Sequence, residues 1–103
     1  MNDKPFTEEI SINEITDKTT ASVIEALTTA TICDPAREVR IEARKSLRKW
    51  LGGRDPKIFI YNNGIYLTLS ESRPFQKAAY VGNVPETYIN QKTELHLDED
   101  ITR

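Results

Sequence analysis

The sequence predicts a single α+β domain: two or three N-terminal helices, then a β-hairpin and one or two further short strands. Three observations predict it. The strongest helical pattern lies between Asp34-Pro35 and Gly52-Gly53. An Asn-Gly pair at residues 63–64 separates two strand-like runs. The chain has 103 residues, enough for one core and too few for two ordinary domains. With 38% hydrophobic and 29% charged residues, it has enough apolar content to fold, unlike a disordered chain.

Residues 1–10 are mostly polar and predict a flexible N-terminus, residues 11–97 the domain, and residues 98–103 a flexible acidic tail. Ser11-Ile12-Asn13-Glu14 matches a capping box, with Ser11 as N-cap and Glu14 at N3. It predicts a short helix over residues 12–18; the Ile10/Ile12 alternation offers a short strand instead. In a second helical pattern, Val23, Ile24, Leu27, Ala30 and Thr31 fall on one arc. Its threonines lower helix propensity, so it must rely on tertiary packing. The third helix has Asp34 as N-cap, Pro35 at N1 and Gly52-Gly53 as its stop. Ala36, Val39, Ala43, Leu47, Trp50 and Leu51 form its expected apolar face, with Ile41 off that face.

Lys57-Ile58-Phe59-Ile60-Tyr61 and Ile65-Tyr66-Leu67-Thr68-Leu69 flank Asn62-Asn63-Gly64. Asn63-Gly64 suits a two-residue type I′ turn. That register pairs Tyr61 with Tyr66, Ile60 with Leu67, Phe59 with Thr68 and Ile58 with Leu69. One face is then aliphatic (Ile58, Ile60, Leu67, Leu69). The other carries Phe59, Tyr61, Tyr66 and Thr68. A one-residue slip would scramble both faces. Beyond Arg73-Pro74, residues 75–81 suit a short helix or a strand, and residues 82–85 a turn or loop. Thr87-Tyr88-Ile89 and residues 93–97 suit short strands, the latter a half-exposed edge.

The net charge of −2 hides a strong asymmetry. Residues 1–35 carry two bases against seven acids, a net −5, and residues 36–57 eight bases against three acids, a net +5. Residues 58–103 carry a net −2. A basic middle suits an anionic partner, or pairs with the chain's own acidic flanks. No apolar run reaches the roughly 18 residues of a membrane span, and the first residues lack the apolar stretch of a secretory signal. The single cysteine excludes an internal disulfide framework and a multi-cysteine zinc site. These features predict a cytoplasmic protein that does not interact with membranes.

Little in the sequence suits catalysis, so no enzyme activity, catalytic residue, metal or cofactor is expected. Cys33 and His96 could form a dyad only through the fold, and Cys33 at a helix end suits a small core residue. His96 with Asp98 and Asp100 suits a solvated edge more than a metal site. Gly52-Gly53-Arg54-Asp55-Pro56-Lys57 lacks the Ser/Thr and the preceding strand of a phosphate loop.

The basic helix is the better lead. Arg37, Arg40, Arg44 and Arg48 share a ridge about 80° wide beside the apolar face. Lys45 and Lys49 lie on another face with Glu38 and Glu42. Arginine's planar fork suits phosphate or carboxylate. The ridge therefore fits nucleic acid, an acidic protein partner, or a solvated face bridged to the acidic first 35 residues. Phe59, Tyr61 and Tyr66 offer a stacking surface for bases or a partner, or a face covered by residues 75–97.

The run Ser46-Leu47-Arg48-Lys49-Trp50-Leu51-Gly52, then Asp55-Pro56 and Asn63-Gly64-Ile65-Tyr66-Leu67, resembles the recognition helix and wing of winged-helix transcription regulators. The resemblance covers residues 46–69, and the second leucine of the wing pattern falls at Thr68. It implies a winged-helix-like fold and a small DNA-binding regulator. By it, Arg37, Arg40, Arg44 and Arg48, with Lys45 and Arg54 beside them, would face duplex DNA, and Asn62 and Asn63 would approach the backbone. The rival expectation is a non-catalytic adaptor or inhibitor. It would dock an acidic or apolar partner through the arginine ridge or through Phe59, Tyr61 and Tyr66. A homodimer fits either expectation.

Overall fold

A computed structural model describes residues 4–70 and 75–86. The strands expected at residues 87–89 and 93–97, and the tail at 98–103, lie outside the described residues. The elements run β1 (Phe6–Ser11), a 3-10 turn (Ile12–Glu14), α1 (Lys18–Cys33), α2 (Arg37–Trp50), β2 (Lys57–Tyr61), β3 (Gly64–Thr68) and β4 (Phe75–Asn83). The strands form one mixed sheet in the order β1-β4-β3-β2. β1 runs parallel to β4, while β2, β3 and β4 are antiparallel neighbours. The α+β expectation therefore holds, with two α-helices and four strands among the described residues.

The N-terminus expected to be flexible instead supplies an outer strand. Phe6, 2% exposed, inserts its ring beside Tyr66 with centroids 4.9 Å apart. The Ile10/Ile12 alternation offers a strand only at its C-terminal end; Phe6, four residues before Ile10, carries no alternation, so pairing with β4 defines the strand's start. The capping box forms as expected: Ser11 Oγ accepts from Asn13 N, and Glu14 Oε2 accepts from Ser11 N. The helix it starts is one 3-10 turn and does not reach residue 18. Asp17 begins α1 instead, its Oδ1 accepting from Thr20 N at 2.8 Å. Hydrogen bonds from the Thr20 backbone and then its side chain hold the Asp17 carboxyl below its ordinary pKa, so the cap stays charged.

The threonines in the second half of α1, Thr28, Thr29 and Thr31, are satisfied within the helix. Buried Thr28 and Thr31 donate to the carbonyls of Ile24 and Leu27, each at 2.7 Å, so their hydroxyls bring no unpaired polar group into the core. Asp34 caps the end of α1 and accepts from Ala36 N. It does not N-cap the next helix, which starts two residues beyond Pro35 at Arg37 behind Ala36. The glycine stop holds: Gly53 N donates to Arg48 O and Gly52 N to Lys49 O, the paired bonds of a Schellman motif.

The hairpin keeps its predicted faces and changes its register. Its turn residues are Asn62 and Asn63, with φ of 50° and 62°, the two positive values a type I′ turn requires. Tyr61 pairs with Gly64, Ile60 with Ile65, Phe59 with Tyr66 and Ile58 with Leu67. The correction is a shift of two residues, and an even shift leaves every side chain on its own face. Gly64 therefore serves close approach rather than the turn. A Cβ there would lie 3.0 Å from Tyr66 Cε1, 3.1 Å from Tyr80 Cε1 and 3.2 Å from Tyr61 O. Tyr66 is wedged among other rings and cannot retreat. Gly64→Ala is expected to lower unfolding stability by about 1–2 kcal/mol. Asn63→Gly, the residue the turn favours, is expected not to lower it; urea denaturation reads both.

Residues 75–81 resolve as strand, and β4 runs on through Gly82 and Asn83, where a turn was expected. Val81 is an extra residue between the pairs Ile65–Gly82 and Tyr66–Tyr80. Gly82, at φ 136°, supplies the backbone freedom this bulge needs. On the helix side, Ile24, Ile32, Leu47, Ile58, Ile65 and Leu67 build the main core. On the other side Phe6, Tyr66, Phe75 and Ala78 form a second cluster, with Phe59 and Tyr61 against it.

Candidate functional site

The arginine ridge does not stand clear of the protein. Leu47 and Leu51 must be buried, and the arc that buries them takes in Arg40 and Arg44, each 6% exposed. Their aliphatic stems enter the interior while their guanidinium groups reach polar partners. Arg40 Nη1 donates to the carbonyls of Asp34 at 2.8 Å and Pro35 at 3.2 Å. These carbonyls lie where α1 ends, and its dipole favours a cation there. Arg44 Nη1 lies 3.8 Å from Asp55 Oδ1. Arg48 is half-buried, and its Nε is buried without a hydrogen-bond partner among the described residues. Arg37 is exposed. Lys45 is exposed and faces Glu42 at 3.7 Å, as its spacing on the other face implies. Arg54 donates from Nε to Leu51 O at 2.9 Å. Asn62 and Asn63 are exposed at the hairpin tip.

The same rotation leaves part of the expected apolar face outside. Val39 is 44% and Trp50 49% exposed. A helical wheel gives the width of an apolar arc but not which edge of it meets the neighbouring elements. The signal for Arg40 was present in the short α1–α2 connection, which places terminal carbonyls within one turn of the arginine.

Phe59, Tyr61 and Tyr66 share one cluster, as expected for one sheet face. The cover comes partly from within the sheet: Phe75 stacks on Phe59 with centroids 5.1 Å apart, and Phe6 lies against Tyr66. Tyr66 donates its hydroxyl to Glu9 Oε1 at 3.3 Å. Burial first, and then the Glu9 carboxylate, push its pKa up, so the phenol stays neutral near pH 7. Burial likewise raises the pKa of the Cys33 thiol, the opposite of what an activated nucleophile needs. His96, Asp98 and Asp100 lie outside the described residues. Among the described residues no group of three His, Cys, Asp or Glu side chains could hold a metal ion, and no helix is long and apolar enough to cross a membrane.

Sequence reasoning missed a groove lined by β1 and α1. It encloses about 580 Å³. One wall is α1, with Lys18, Ala21, Ser22 and Glu25; the other carries Glu9 and Tyr80; Ile10 and Ile12 lie between them. β1 is the last strand of the sheet among the described residues. The groove has apolar floor residues, and two carboxylates against one ammonium in its lining. Nothing local marks this site, because β1 and α1 meet there only through the fold. Searches against family models, curated proteins and solved structures found no match to this chain.

Proposed function

We propose that this protein is a non-catalytic protein-binding domain that takes an extended basic segment of a partner along β1, whose outer edge pairs with no other strand among the described residues. The groove lined by β1 and α1 carries the proposal. An outer strand offers backbone donors and acceptors to an added strand. Successive side chains of that strand would point alternately toward the α1 wall and toward Glu9 and Tyr80. Glu9 and Glu25 against Lys18 favour a cationic segment. The duplex-binding reading draws less support from the geometry, because the guanidinium of Arg40 is directed at the α1–α2 turn and Arg44 is buried.

The test uses fluorescein-labelled hexapeptides of alternating Lys-Val and alternating Glu-Val, titrated at low salt and followed by anisotropy. The basic peptide is expected to bind and the acidic one not. Ser22→Trp, an exposed change that fills the groove, is expected to weaken binding by about tenfold or more while leaving the circular dichroism spectrum unchanged. Equal binding by Ser22→Trp would overturn the groove assignment. Duplex DNA serves as the control. Salt-steep duplex binding that Arg37→Ala weakens would replace the proposal with the nucleic-acid reading.

A further inference from the structure

Two exposed apolar side chains on α2, Val39 and Trp50, share no residue with the groove and call for an occupant of their own. Taking Val39 as the origin, Trp50 lies near 20°, Ala43 near 40° and Ser46 near 340°, at about 100° per residue. The four follow the 4-3-4 spacing of a coiled-coil seam. Large residues stand at the two ends of this stripe, both well exposed; between them Ser46 is half-buried and Ala43, 6% exposed, is covered by the chain's own fold.

The charges beside this stripe are ordered. Glu38 and Glu42 flank its N-terminal half, and Lys45 and Lys49 its C-terminal half, all on one side of the helix. A parallel neighbour would set like charges together. An antiparallel copy related by a two-fold axis reverses the order, so each acidic half meets a basic half. The same axis seats Val39 against Trp50 of the second copy. Glu42 then comes beside Lys49 of the second copy. The Glu42–Lys45 ion pair within one chain is an exposed contact at 3.7 Å, of the kind that rearranges at little cost.

From this pattern we infer that the protein forms a two-fold homodimer through antiparallel α2 helices, with Trp50 as its principal anchor and Glu42–Lys49 pairs at its rim. An indole buried at such an interface is commonly a dominant contributor. The rim charges set orientation and partner choice.

Sedimentation equilibrium of the full chain at low ionic strength tests this. The parent is expected to show a concentration-dependent monomer–dimer equilibrium, with Trp50 emission shifting to the blue as dimer forms. Trp50→Ser, at an exposed position, is expected to stay folded by circular dichroism and to weaken association by about thirtyfold or more. Glu42→Lys and Lys49→Glu are each expected to weaken self-association by about tenfold. The decisive arm mixes these two variants. The Glu42→Lys chain then carries cations at both rim positions and the Lys49→Glu chain anions at both, so a heterodimer should form with near-parental strength. A parent that stays monomeric at every concentration overturns the inference. So does Trp50→Ser associating like the parent, or charge variants that fail to recover on mixing. The peptide titration is read on the separate β1–α1 groove, so failure of either proposal leaves the other standing.

Discussion

Leu47→Ala is expected to lower unfolding stability by about 3 kcal/mol, whereas Val39→Ala, eight residues earlier on the same expected apolar face, should change it by less than about 0.5 kcal/mol. The contrast follows from where the helix is turned. Leu47 is fully buried in the cluster that also holds Ile58, Ile65 and Leu67. Truncating it removes three carbons from close packing and leaves a cavity between helix and sheet. Val39 projects largely into solvent. Urea denaturation of the two variants side by side checks the rotation of α2 directly. Equal losses would mean that the helix presents the symmetrical apolar face a helical wheel suggests. The comparison is made at low protein concentration, where the proposed self-association through Val39 and Trp50 would contribute least.

Arg40→Ala is expected to cost about 2–3 kcal/mol, a core-sized effect from a charged residue. Its Nη1 satisfies the Asp34 and Pro35 carbonyls where α1 hands over to α2, and its stem fills space beside α1. Alanine abandons both carbonyls and the packing. Arg40→Lys should recover only part of the loss, because one ammonium on a flexible stem does not reproduce a planar fork. Arg37→Ala, at an exposed position on the same ridge, should lie within about 0.5 kcal/mol of the parent. Thermal and urea unfolding of the three variants separates a structural arginine from a surface one. Equal, small effects at Arg40 and Arg37 would return the whole ridge to the surface.

The parts of the fold legible in the sequence share one property: their causes lie within a few residues. The Ser11–Glu14 capping box, the Gly52-Gly53 stop and the two hairpin faces are each set by local backbone preference or strand alternation. Even the hairpin's register error is local in origin. Asn63-Gly64 and Asn62-Asn63 both supply turns, and the faces cannot tell the two apart because the registers differ by an even step. The close approach of Tyr66 and Tyr80 to Gly64 helps to fix the register, and Tyr80 comes from β4, beyond the hairpin.

The candidate site was the least legible part. The aromatic cluster showed through the alternation of Phe59, Tyr61 and Tyr66, but Phe6 joins it from a segment expected to be flexible. The groove has no sequence signature, since one wall is β1, the other α1, and their contact depends on β4 carrying β1 to the outside of the sheet.

Taken by itself, the sequence determined the α+β class, the Ser11–Glu14 capping box, the Gly52-Gly53 stop and which hairpin side chains share a face. Hydrogen-bond closure and side-chain alternation act along the chain, and those choices are made there. Only the tertiary structure decided that β1 lies beside β4, that α2 turns Arg40 and Arg44 inward, and that Val39 and Trp50 remain outside. Each of those outcomes depends on which surface an element meets, and burial is a property of that meeting rather than of either partner's sequence.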